Sequence, residues 1–188
     1  MNYWIIATLI LSLISPITYT KGMLAGKVKP HRITRFIVWL ASVAGILGVL
    51  HSNNLAGQIF ALIFLARASY LLIMSIIYGV GGFAKLDLWC LGLGILALIV
   101  YAVTKNGVIT ISIGILADVI GYVPTFVKTY HHPSTEDPVF FSIEGLASLF
   151  GVFAVWQLTA GILFPIYFTL CSALMVALIY RKKIAKLI

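Results

Sequence analysis

Three ionisable residues interrupt long apolar stretches of this chain: Arg67, Asp118 and Glu144. Counted at ~1.5 Å per residue from the start of its stretch, Arg67 lies about 18 Å deep and Asp118 about 15 Å deep. Both depths fall near the middle of an apolar helix. An unpaired charge there costs at least about 3 kcal/mol in a bilayer. The simplest solution turns both side chains inward and pairs them. Such a pair either ties two parts of the fold together or forms a substrate-binding or proton-coupling site. Glu144 lies only a turn or so into its stretch, which suits snorkelling or capping of a helix N-terminus. A place in a solute pathway is the alternative. Trp39, a turn and a half into another stretch, is a candidate wall of the same cavity.

Two prolines come next. Pro16 and Pro124 each sit near the end of an apolar helix, where proline removes one hydrogen bond and crowds the preceding turn. Each is either a static kink or a hinge that swings the end of its helix as a gate. The polar connections offer less. Lys27, Lys29, His31 and Arg32, with Arg35, suit anionic lipid headgroups, or a funnel for an anionic substrate. His131, His132, Glu136 and Asp137 have metal-capable side chains, but their run spacing fits no metal-site pattern. No metal or cofactor is expected. No phosphate-cradling Gly-Lys-Ser/Thr loop occurs, so nothing points to nucleotide-driven pumping. No nucleophile–base arrangement stands out, so an enzyme is not expected.

The elements that must position these residues are apolar helices. The 188 residues are 62% hydrophobic and 10% charged, with a mean hydropathy of +1.10. Soluble domains are roughly one half apolar and one quarter charged, so an integral membrane protein is expected. Seven apolar segments follow: Tyr3–Gly22, Thr34–His51, Leu55–Gly79, Leu86–Thr104, Val108–Tyr130, Val139–Trp156 and Ala160–Tyr180. They are too long for strands and lack alternation, so they are read as helices. Tyr3 to Pro16 resembles a signal-peptide core, but without a basic start or a small-residue cleavage site it is read as a retained span. Trp4, Trp89 and Trp156 fall near segment ends, as interfacial anchors do. Cys90 and Cys171 both lie in apolar segments, which speaks against a disulfide.

Charge placement sets orientation. With the N-terminus outside, the inner side holds Lys21, Lys27, Lys29, Arg32, Arg35, Lys85, Lys128, Arg181, Lys182, Lys183 and Lys186. The outer side holds only Lys105. Basic residues concentrate on the cytoplasmic side of membrane proteins, so the C-terminus is expected in the cytoplasm. The net charge of +8 is therefore an orientation signal, and no nucleic-acid partner is expected.

An internal repeat organises the whole. Pro16 matches Pro124; Leu40-Ala41-Ser42 through Gly45 matches Leu146-Ala147-Ser148 through Gly151; Ala56-Gly57, Phe60 and Phe64 match Ala160-Gly161, Phe164 and Phe168. The offsets drift from 108 to 106 to 104, as shorter loops in a second copy require. Two three-helix units, 1–79 and 106–188, are expected, with a fourth helix in 80–105 that turns the second copy parallel to the first. Ala41-x-x-x-Gly45 and Ala147-x-x-x-Gly151 are read as the packing seam within each unit.

This plan resembles the PQ-loop superfamily, which includes the SWEET sugar facilitators and the lysosomal amino-acid exporters. As motif the resemblance rests on Gly121-Tyr122-Val123-Pro124-Thr125-Phe126-Val127-Lys128, and more weakly on Ser15-Pro16-Ile17. It implies an all-α fold of seven transmembrane helices arranged 3+1+3. It also implies a transporter of the inner or plasma membrane that rocks its two units around a mid-membrane site. The glutamine after each proline is replaced here by Ile17 and Thr125, so the solute is read only as small and polar. Transport would be facilitated, or proton-coupled if Asp118 titrates. A receptor or accessory protein on the same architecture is the alternative. One chain carries both units, so a monomer suffices for a pathway and a homo-oligomer is compatible with it.

Overall fold

The computed structural model describes residues 3–50, 55–81, 85–104, 106–155 and 162–184. Among the described residues, seven α-helices occupy the seven apolar segments: α1 (Tyr3–Leu24), α2 (Arg32–Val49), α3 (Leu55–Tyr78), α4 (Lys85–Thr104), α5 (Gly107–His131), α6 (Pro138–Ala154) and α7 (Leu163–Ile184). A 3-10 turn at Pro133–Thr135 lies between α5 and α6. No strand forms among the described residues. A helix satisfies its own backbone, which is what an apolar surround demands. Five of these helices are long and apolar enough to cross a bilayer, by length and composition. Large apolar side chains point outward, including Leu13 at 64% exposure and Leu170 at 66%. This fits a multi-pass membrane protein.

Local chemistry fixes several ends. Asn106 opens α5, its side chain accepting from the Ile109 N–H at 3.1 Å. Asp137 opens α6 in the same way, accepting from the Val139 N–H at 2.9 Å, with Pro138 at the first helical position. Both are favoured capping arrangements. Asp137 does the capping that was one of the roles open to Glu144. Gly81, at φ 105°, follows α3 and lies against the His31 ring. There Val80 donates to the Pro30 carbonyl at 2.9 Å and Arg32 donates to the Val80 carbonyl at 3.0 Å. These bonds tie the last turn of α3 to the first turn of α2.

The helices pack in a ring. Each touches the next in the order α1, α3, α2, α5, α7, α6, and α6 closes onto α1. The fourth helix lies outside the ring, against α5 and α2. Aromatic side chains fill the ring: Phe64 and Phe168 meet at a tilt with centroids 3.8 Å apart, and Phe60 and Phe164 stack on them in turn.

The two small-residue stripes do not pack where the sequence reading placed them. A Cβ on Gly45 of α2 would lie 2.6 Å from Phe164 Cε2 of α7. A Cβ on Gly151 of α6 would collide with the Phe60 ring of α3. Thr8 of α1 donates to the Ala147 carbonyl of α6 at 3.1 Å. Each stripe therefore faces helices of the other half of the chain. The reason is the ring order: α2 adjoins α5, and α6 adjoins α1.

Candidate functional site

The centre of the ring is charged. Five buried charged side chains appear among the described residues: Arg35, Arg67, Asp118, Glu136 and Glu144. Both cations come from the first three helices. All three acids come from α5, α6 and the segment that joins them.

Arg67 projects from mid-α3 and forms an ion pair with Glu144 of α6, both side chains almost wholly buried. Its guanidinium also lies 3.9 Å from the centroid of Phe64, a cation–π contact. The sequence reading paired Arg67 with Asp118 instead. Packing explains the difference: α3 and α6 both flank α1 and touch each other, whereas α5 adjoins α2 and α7. Asp118 is fully buried and its Oδ2 accepts from the Tyr167 hydroxyl of α7 at 2.8 Å. Its Oδ1 has no hydrogen-bond partner among the described residues. Glu144 is therefore neither a snorkelling nor a capping residue; it is half of the central pair.

Arg35 is the residue the sequence reading misplaced. Grouped by sequence with the loop lysines, it is only 7% exposed. Its guanidinium sits 4.7 Å from the Tyr19 ring centroid and 5.5 Å from that of Phe140. A signal existed: Arg35 shares the 3-and-4 spacing of Val38, Ser42 and Gly45, the inward face of α2. Tyr122, within the Gly121–Lys128 motif, lies one turn from Asp118 on α5 and is buried. Tyr167 carried no signal at all. Its role follows from packing between α5 and α7.

Between these groups lies a cavity of about 10 Å³, lined by Arg35, Arg67, Tyr122 and Glu144 with Phe64 and Phe168. That volume is about the room one water needs. Toward the basic end the path is shut. Glu136 accepts from Tyr19 at 3.0 Å and from Lys128 at 2.5 Å. Lys128 also donates to the Lys29 carbonyl at 3.1 Å. Thr34 donates to the Gly121 carbonyl at 3.1 Å and accepts from Thr125 at 3.4 Å. Phe64 and Phe168 line the cavity as well, their rings in tilted contact.

The remaining candidates are placed as follows. Trp39 donates to Ser69 Oγ at 3.0 Å. It therefore serves the α2–α3 seam and does not line the cavity. Pro16 is buried within α1, which continues through it. Pro124 lies within the helical run of α5; its side chain is outside the described residues. Trp156 and Lys105 are also outside them. No group of three or more metal-capable side chains converges among the described residues. The arrangement suits electrostatic work: buried groups of opposite sign, bridged by one ion pair and flanked by aromatic rings.

Compared with family models, curated proteins and solved structures, this chain matches none.

Proposed function

We propose that this chain is a multi-pass transporter of a small polar solute, of the PQ-loop kind, in the inner or plasma membrane. The observation that carries the reading is the segregation of buried charge. Arg35 and Arg67 come from α2 and α3, and Asp118, Glu136 and Glu144 from α5, α6 and the segment between them. Buried charges are costly and are kept in membrane helices chiefly where a pathway or relay uses them. The 3+1+3 arrangement finds support in the ring order, because α3 sits between α1 and α2 as α7 sits between α5 and α6. The crossed contacts of Gly45 with Phe164 and Gly151 with Phe60 repeat each other in the two halves. In this reading the conformation is occluded. The solute binds at the cavity lined by Arg35, Arg67 and Glu144, Asp118 acts as the coupling acid, and Pro16 and Pro124 let the inner helix ends swing.

The test is solute counterflow in proteoliposomes under an imposed pH gradient, comparing native protein with Asp118→Asn. The native protein is expected to show gradient-sensitive flux and the variant to lose that sensitivity. Equal, gradient-independent flux in both would leave simple facilitation. A second reading, a receptor or accessory protein without net transport, is favoured by one observation: the central cavity has room for about one water. Absence of counterflow across a broad panel of small polar solutes would select it.

A further inference from the structure

We propose that an anionic phospholipid binds along the groove between α1 and α3, with one acyl chain between the helices and its headgroup at Lys21. The groove encloses about 550 Å³, within the roughly 300–1,000 Å³ of small-molecule sites. Leu9, Leu13 and Ile17 of α1 form one wall, and Leu62, Ala66 and Tyr70 of α3 the other. It opens outward from the ring: Leu13 is 64% exposed, Ile17 52% and Leu62 60%. An outward apolar groove on a membrane-spanning bundle meets hydrocarbon, not water.

The groove has direction. Its axis runs from Leu9 toward the basic end, and Lys21 follows Ile17 by one turn on the same face of α1. From Leu9 to Lys21 is about 18 Å along the helix, an acyl chain's reach. At that end the Thr20 and Tyr70 hydroxyls bond at 2.8 Å and bridge α1 to α3. The apolar trough therefore ends in hydroxyls and an exposed ammonium, the sequence of environments that a lipid tail and its headgroup need. The sign of the headgroup follows from charge. Lys21, Lys27, Lys29 and Arg32 are all exposed at this end, and the first 86 residues hold no acid. The floor adds the kink: Pro16 has no N–H, so the Ser12 carbonyl lacks its helical donor, and both residues line the groove. Arg67 lines the groove and the central cavity alike, so an occupant touches the residue that holds the core ion pair. The inference rests on the membrane-spanning reading alone and stands whether or not a solute is moved.

The test uses the full chain in vesicles of phosphatidylglycerol or phosphatidylcholine that carry a photoreactive diazirine on one acyl chain. Labelled peptides are mapped by mass spectrometry. In phosphatidylglycerol, labelling is expected to concentrate on 9–17 and 62–70. Ala66→Phe should remove most of it while labelling at Leu170 and Leu174 on α7 persists, which also reports an intact fold; Ala66→Leu serves if the phenylalanine variant misfolds. Lys21→Gln should lower phosphatidylglycerol labelling to the phosphatidylcholine level. Unchanged groove labelling in a folded groove-filling variant means annular lipid only and overturns the site. Equal labelling by both lipids in the native protein overturns the headgroup assignment.

Discussion

An arginine midway along α3 keeps its charge among apolar helices only if a carboxylate reaches it. Glu144 does, from α6. Removing one partner of a buried pair leaves the other charge uncompensated, at a cost of roughly 3–5 kcal/mol, whereas replacing both with apolar residues is often neutral. Glu144→Leu should therefore lower the unfolding midpoint sharply, and adding Arg67→Met should recover most of the loss. Asp118→Asn should not show this coupling to Arg67 in a double-mutant cycle; strong coupling there would restore the Arg67–Asp118 pairing. The sequence made the depth of each charge legible, because depth is counted along one helix. It did not make the partner legible, because that depends on which helices face each other. Arg35 was hidden for a different reason: it follows a run of loop cations, and only the face it shares with Val38 and Ser42 marks it as buried. Tyr167 is an ordinary interfacial aromatic until α5 brings Asp118 to it.

Helices were easier to read than seams. Long apolar runs bounded by Lys, Pro and Gly place all seven elements within a few residues of where they form. A small-residue stripe says that something approaches closely, but not what. Here the approaching groups are rings. A methyl on Gly151 would meet the Phe60 ring, and one on Gly45 would meet Phe164. Overpacking of this kind costs about 1–3 kcal/mol. Gly151→Ala should therefore destabilise the protein by that order, and Phe60→Leu in the same chain should relieve most of it. Gly45→Ala with Phe164→Leu should behave in parallel. If instead Phe60→Leu and Gly151→Ala add independently in thermal unfolding, the ring does not seat on the glycine, and the α3–α6 contact is elsewhere.

At the scale of the molecule, one end of the bundle is basic and shut. Four pieces of chain meet there through Glu136: Tyr19 of α1, Lys128 of α5, and through Lys128 the Lys29 carbonyl between α1 and α2. Behind this knot lie Thr34 and Thr125, buried to 3% and 6% exposure. A buried acid that accepts from a hydroxyl and an ammonium holds only while both donors stay; hydrogen bonds to charged groups contribute about 1.5–3 kcal/mol each. Glu136→Gln keeps the shape and removes the charge, so the knot should loosen while the helices persist. The expected consequence is access from the basic end. In a chain with Cys90 and Cys171 replaced by serine, Thr34→Cys should react slowly with a membrane-impermeant thiol reagent, and several-fold faster once Glu136→Gln is added. Thr8, buried toward the other end of α1, supplies the control: Thr8→Cys should stay unreactive from that side in both backgrounds. Acceleration at Thr8 as well would mean general loosening, and no acceleration at Thr34 would mean that Glu136 does not hold this end closed.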